Sequence, residues 1–209
     1  MTEPTIFIVD DDPAMRDSLS WLLETIGHPV RTFENAQEFL DNFDPQAPGC
    51  LVLDVRLPGM SGLQLQQKMK ADNIALPVII ISGHGDVPMA VKAMQQGALE
   101  FHEKPFRDQE LLDSIQNALE VDATNRSKNA ESAEIQACVN TLTPREKEVM
   151  DLLIQGNPNR EVANQCNISV KTVEVHRARI MDKMKANSFP ELIHMVLELK
   201  GTHTPVLNN

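Results

Sequence analysis

Four short apolar runs each end on a side chain able to do chemistry. TIFIV runs into Asp10, Asp11 and Asp12, CLVL into Asp54, PVIII into Ser82, and LEFHE stops just before Lys104. Carboxylates aimed at one place repel one another, and a hard divalent cation relieves that repulsion. Mg2+ suits such a site because one or two carboxylates plus waters and phosphate oxygens satisfy it. A carboxylate can also accept a phosphoryl group, and a lysine and a hydroxyl across the pocket would then stabilise the transferring oxygens. Taken singly, Asp10 reads as a solvated strand end, Asp12 as a helix cap, Ser82 as a turn residue and Lys104 as a surface lysine before a proline. Four such residues at run ends read as one site.

That reading requires elements that bring the ends together. Between residues 5 and 120 five apolar runs alternate with helix-period segments, the second run, PVRTF, ending at Phe33 with nothing comparable at its tip. Short, almost wholly apolar runs suit parallel strands buried on both faces. Asp12-Pro13 can cap a first helix with Met15, Leu19, Leu22, Leu23 and Ile26 inward and Gly27 as its stop. Further helices are expected near Asn35–Phe43, Gly62–Ala71, Val87–Gln96, and after Asp108 with Leu111, Leu112, Ile115, Ala118 and Leu119 inward. Five such units make a doubly wound α/β domain, whose ligands bind beyond the carboxyl ends of the strands at the switch point. The second strand then lies at an edge, and the other four converge on one pocket.

The chain has 209 residues, 30 acidic against 19 basic side chains and a net charge of −11. Only 4% of residues are aromatic, with no tyrosine, which excludes a stacking platform for single-stranded nucleic acid. Cys50, Cys138 and Cys166 are widely spaced and odd in number, against both a disulfide framework and a zinc site. A reducing, cytoplasmic location without membrane association is expected, since no apolar run approaches ~20 residues and the N-terminus has no basic region before its acids. Residues 1–120 carry 19 acidic and 8 basic side chains, whereas residues 141–209 carry 8 acidic and 9 basic. The acidity belongs to the first domain.

Residues 121–140 are polar and rich in Ala, Asn and Ser, and read as an interdomain linker that can continue helix five, which lacks a clear stop. Beyond Thr143-Pro144 the pattern is helical only. Thr143 with Glu146 makes a capping box ahead of Val149, Leu152 and Leu153, with Gly156 as the stop. A short helix near Arg160–Gln165 and one from Ser169 to about Lys185 follow. Ser188 with Glu191 can cap a last helix bearing Leu192, Ile193, Val196 and Leu197, closed by Gly201. The result is a small all-α four-helix unit over residues 141–209 containing a helix-turn-helix. Within 170–185 five basic residues face two acidic ones, with Val173, Ile180 and Met184 inward and Lys171, Glu174, Val175 and Ala178 outward. Such a helix can enter a major groove.

Residues 1 to about 120 resemble the receiver domain of two-component response regulators, in the pair Asp10-Asp11, in LVLDVRLPGMSG around Asp54, in Ser82 and in Lys104-Pro105. SGHGDVPMAVKAM followed by EKPF is similar to the FixJ type. The resemblance implies a flavodoxin-like receiver with Asp54 as phosphoacceptor and with Mg2+ held by Asp10, Asp11, Asp54 and the backbone carbonyl of Arg56. It further implies that Ser82 and Lys104 stabilise the phosphoryl group, with Phe101 at the switch position. His84, beside the pocket, reads as a structural or solvent-facing loop residue. The segments LTPREKEVMDLL and NREVANQCNISVKTVEVHRARIMDKM resemble the LuxR-type DNA-binding domain. That resemblance implies a supporting helix over 160–166 and a recognition helix over 170–184. DNA contacts then fall to Lys171, Thr172, Glu174, Val175, Arg177, Ala178 and Arg179, with His176 packed and hydrogen-bonded instead. Pro158 departs from the small polar residue that family members often carry and would stiffen its turn.

The expectation is therefore a transcription factor rather than an enzyme. Its implied partners are a sensor histidine kinase, promoter DNA, a second copy when phosphorylated, and RNA polymerase as a further candidate. Two alternatives come from other classes. A Mg2+-dependent phosphatase or phosphotransferase with an aspartate nucleophile would want a second acid close behind it, where Val55, Arg56 and Leu57 stand. A ligand-sensing regulator with the same DNA-binding domain is disfavoured by the carboxylate cluster and by the lack of a glycine-rich phosphate loop.

Overall fold

The computed structural model describes residues 3–83 and 87–202, and divides into two compact units, one through Arg126 and one from Ser127. In the first, five strands alternate with helices: β1 (Thr5–Val9), α1 (Pro13–Thr25), β2 (Val30–Phe33), α2 (Ala36–Asn42), β3 (Gly49–Asp54), α3 (Gly62–Ala71), β4 (Val78–Ser82), α4 (Val87–Gln95), β5 (Glu100–Glu103) and α5 (Asp108–Asn140). All pairings are parallel and the order is β2-β1-β3-β4-β5. β2 is an edge, as the bareness of its tip implied. β3 and β4 are buried along their whole length, which is why their runs are continuously apolar.

Helices cover both faces. Ile6, Ile8, Val52 and Ile81 pack on Leu19 and Leu23 of α1 and on Leu111, Ile115 and Ala118 of α5. Phe7, Val9, Leu51, Leu53 and Ile80 pack on Phe39 of α2, Leu65 and Met69 of α3 and Ala93 of α4. Asp12 caps α1 by accepting from the Ala14 amide at 2.9 Å, and Gly27 takes the left-handed φ of 87° that ends it. Ile26 does not join the inward face: it is half exposed beyond the last helical turn.

Helix α5 spans the expected linker without a break. Within the first unit its buried Asp122 pairs with Arg126 at 2.8 Å and accepts from the Gly49 amide at 2.9 Å. Arg126 also donates to the carbonyls of Gln46 and Ala47. These bonds hold the helix to the loop before β3, so the unit reaches past the expected boundary at 120. Gly49 has φ 150°, and a Cβ there would lie 1.8 Å from the Thr5 carbonyl oxygen.

The second unit contains α6 (Pro144–Ile154), α7 (Asn159–Cys166), α8 (Val170–Lys183) and α9 (Phe189–Thr202). Ile135 of α5 joins its core of Val149, Val162, Val173, Ile180, Met184 and Leu192. Thr143 and Glu146 form the capping box on α6, and Asn167, left-handed at φ 53°, ends α7 and starts the three-residue turn to α8. Pro158 stands at the N-cap of α7 without a side-chain cap bond. Helix α9 runs through Gly201 to Thr202, and its Leu197 points outward while Met195 and Leu199 pack inward.

Candidate functional site

The carboxyl ends of β1, β3 and β4 and the residue after β5 deliver Asp10, Asp54, Ser82 and Lys104 to one place. Asp10 and Ser82 are fully buried and Asp54 nearly so. The Lys104 ammonium donates to Asp10 Oδ2 at 2.6 Å and to Asp54 Oδ1 at 2.8 Å. Each carboxylate is also fixed from its other oxygen, Asp10 Oδ1 by the Asp12 amide at 2.9 Å and Asp54 Oδ2 by the Arg56 amide at 2.5 Å. The Lys104 amide donates to the Ser82 carbonyl at 2.8 Å, and Lys104-Pro105 is a cis peptide. Ser82 Oγ lies 3.8 Å from Met89 Sδ. Phe101, paired with Ile80 across the sheet, is half-buried against the core.

The electrostatics follow from burial. Desolvation pushes the Asp54 carboxyl above the usual aspartate range and the Asp10 charge adds to it, against the pull of Lys104. Burial alone would lower Lys104, but its hydrogen bonds to Asp10 and Asp54 outweigh that and hold the ammonium above its ordinary value. One ammonium thus faces two buried carboxylates, leaving a deficit of positive charge.

In the second unit, Lys171, Glu174, Val175, Ala178 and Arg179 are exposed along α8, opposite the buried Val173, Ile180 and Met184. Ser169 caps the helix by accepting from the Thr172 amide, and the two hydroxyls lie 2.8 Å apart. Arg177 is half-buried with its guanidinium 4.4 Å from the centre of the Phe189 ring.

Residues 6–116 match the response regulator receiver domain family, and residues 140–196 match the bacterial regulatory proteins of the luxR family. The transcriptional regulatory protein FixJ of Bradyrhizobium diazoefficiens is 44% identical over 94% of this chain and 96% of its own length. The chain belongs to the two-component response regulators of the FixJ type. Nodulation protein W of the same organism is 43% identical over 97% of this chain and 90% of its own. The solved structure of the response regulator StyR superimposes with a TM-score of 0.84 at 42% identity, over 94% of this chain and all of that one. These matches support the regulator reading over the phosphotransferase and ligand-sensing alternatives.

In the receiver, the structure gathers Asp10, Asp54, Ser82 and Lys104 but leaves Asp11 exposed. Among the described residues no three His, Cys, Asp or Glu side chains are gathered as a metal-holding group. The donor chemistry nevertheless fits Mg2+: two carboxylates and the carbonyl of Arg56 are hard oxygen ligands, and solvent supplies the remainder. His84 lies outside the described residues. Asp12 is the α1 cap.

In the LuxR-type domain two expectations need correction. His176 is half-buried, but its Nδ1 is buried without a hydrogen-bond partner, so it is packed and not fully bonded. Lys183, counted in the basic helix, donates to the buried Glu146 at 2.6 Å and to the Thr141 carbonyl at 3.2 Å. Val170, missed from sequence, is exposed beside Lys171 at the start of α8; its place one residue after the Ser169 cap was the available signal. No helix among the described residues is long and apolar enough to cross a membrane.

Proposed function

We propose that Asp54 accepts a phosphoryl group from a sensor histidine kinase and that this event controls DNA binding through α8. What carries the reading is the nearly buried Asp54 carboxylate at the tip of β3, held at 2.8 Å by the ammonium that also binds Asp10. An Asp54 oxygen attacks the phosphorus of a phosphohistidine, forming a P–O bond as the P–N bond to the imidazole breaks. Lys104 holds the acceptor in place and meets the new charge on the phosphoryl oxygens, and the Ser82 hydroxyl donates to one of them. Asp10, Asp11, Asp54 and the carbonyl of Arg56 would hold Mg2+, which supplies charge neutralisation at the transferring group.

Movement of Ser82 toward the phosphoryl group opens space into which Phe101 turns. Lacking a hydroxyl, Phe101 responds by packing alone, which biases a two-state surface on α4 and β5. On the DNA side, Lys171 and Arg179 hold phosphates while Glu174, Val175 and Ala178 meet base edges, Glu174 suiting a cytosine amino group. Thr172 and Arg177 complete the contact set. Two-fold half-sites suit one recognition helix per subunit, so the phosphorylated regulator acts as a homodimer in the cytoplasm, at promoters where RNA polymerase is a further partner.

The test is incubation with acetyl phosphate and Mg2+, followed by phosphate incorporation and promoter affinity for wild type and Asp54→Asn. The substituted chain should take up no phosphate and gain no affinity. Unchanged labelling of Asp54→Asn would overturn the assignment.

A further inference from the structure

At the end of the sheet opposite Asp54, a cavity of about 370 Å3 opens between α3, the start of β4, the end of α4 and α5. That volume lies at the lower end of the range for small-molecule sites. Its walls are mainly apolar, with Met69, Leu76, Leu99 and Val121 among them. Three amide side chains interrupt the apolar wall, the exposed Asn125 and the more buried Gln66 and Gln96. Gln66 is 3% exposed; its Nε2 donates to the Ala93 carbonyl at 3.1 Å, and its Oε1 is buried with no hydrogen-bond partner. The Oε1 of Gln96 is buried and unpartnered as well. Three buried side-chain polar atoms lack partners among the described residues, and two of them belong to the amides of this one cavity. Buried acceptors are normally satisfied, so two in one wall ask for a donor.

We propose that this cavity binds a small, uncharged, aromatic-sized molecule that presents N–H or O–H donors to Gln66 and Gln96. The apolar walls take the body of the ligand. No acidic residue lines the cavity and the exposed Lys70 stands beside it, so nothing there offsets the desolvation of an ammonium group, and a neutral donor is the fitting chemistry. Gln66 sits on α3 and Gln96 directly follows α4, so an occupant bonded to both adds a second tie between elements already joined by the Gln66–Ala93 bond.

The probe pair is indole and indene, alike in shape but differing in the N–H. The full chain is titrated with each while the side-chain amide signals of Gln66 and Gln96 are followed by NMR, for wild type, Gln66→Met and Gln96→Met. Gln96→Met removes an acceptor without touching the bond to Ala93, so its fold is secure if that of Gln66→Met is not. Indole should shift both amide signals and bind about tenfold more tightly than indene, the factor a net hydrogen bond contributes, and Gln96→Met should reduce that preference. The proposal is overturned by equal affinity for the two probes, by shifts that miss both amides up to the solubility limit of indole, or by an undiminished preference in Gln96→Met.

Discussion

Replacing Lys104 by Met tests the electrostatic reading of the receiver site most directly. The ammonium, 18% exposed, bridges Asp10 and Asp54 side chains that are 1% and 6% exposed. Its loss leaves two carboxylates facing one another away from water. Removing one partner of a buried ion pair costs about 3–5 kcal/mol. Neutralisation bounds that cost, because protonating a free carboxyl in water, where its value is about 3.9, costs about 4 kcal/mol at pH 7. The same escape at pH 5 costs only about 1.5 kcal/mol. Lys104→Met should therefore lower the melting temperature of the receiver by roughly 10–20 °C at pH 7 in EDTA, and by less than half of that at pH 5. Millimolar Mg2+ should return much of the loss, since a hard cation replaces the ammonium between the carboxylates. Differential scanning calorimetry of the full chain reads all three conditions. A loss under about 3 °C that is the same at both pH values would show that water already screens the pair, as at an exposed salt bridge, and would refute the reasoning.

Three further expectations follow from other parts of the molecule. Lys183, with the Thr143 amide, holds the Glu146 carboxyl down to about 2; this lowered value contributes stability above the ordinary carboxylate range that is lost as pH falls from about 4.5 toward 2. Glu146→Gln should thus destabilise the second unit by up to about 3 kcal/mol at pH 7, with the difference shrinking below pH 4 in urea titrations; a gap independent of pH would contradict it. A Cβ at Gly62 would lie 2.1 Å from the Asp54 carbonyl oxygen, so Gly62→Ala should slow acetyl phosphate labelling by about tenfold or more, since small misplacements of reacting groups cost that much; wild-type labelling would rule this out. Arg179→Ala should weaken binding to all DNA sequences alike and reduce the slope of log affinity against log salt by about one, whereas Arg177→Ala should also lower the melting temperature because it removes the stack on Phe189; equal thermal stability of the two variants would contradict that separation.

Much of the receiver was legible because parallel strands buried on both faces need continuous apolar runs, and the residue at the end of each run falls at the site. Asp10, Asp54, Ser82 and Lys104 could be grouped before any coordinates for that reason. What could not be read depends on distant partners. Asp122 sits in a polar stretch that looks like a linker, and only the Gly49 amide, 73 residues away, gives its burial a reason. The continuity of α5 is equally hidden: residues 121–140 have no single apolar face, yet Asp122 anchors the helix in one unit and Ile135 is buried in the core of the other. Periodicity also assigned Ile26 and Leu197 inward, although both are exposed among the described residues. The same limit applies to Gln66, a polar residue of α3 whose burial and unbonded oxygen only the folded structure shows.

The basic character of α8 shows how a formal charge differs from what a helix can present to DNA. Five cations against two acids over residues 170–185 suggest a strong phosphate grip. In the folded domain Lys183 is committed to Glu146, a residue fixed in turn by the Thr143 cap of α6, and Arg177 lies over Phe189. Lys171, Arg179 and Lys185 are left exposed. Three phosphate contacts give a salt slope of about −2.7 for one subunit, and six give about −5.4 for two. A single domain with that few contacts would hold DNA weakly at physiological salt, and the 19 acidic side chains of residues 1–120 would add nothing to its attraction. Pairing of two recognition helices would double the contacts without any change in either helix, which is how the proposed dimer would raise affinity from the charge that folding leaves available.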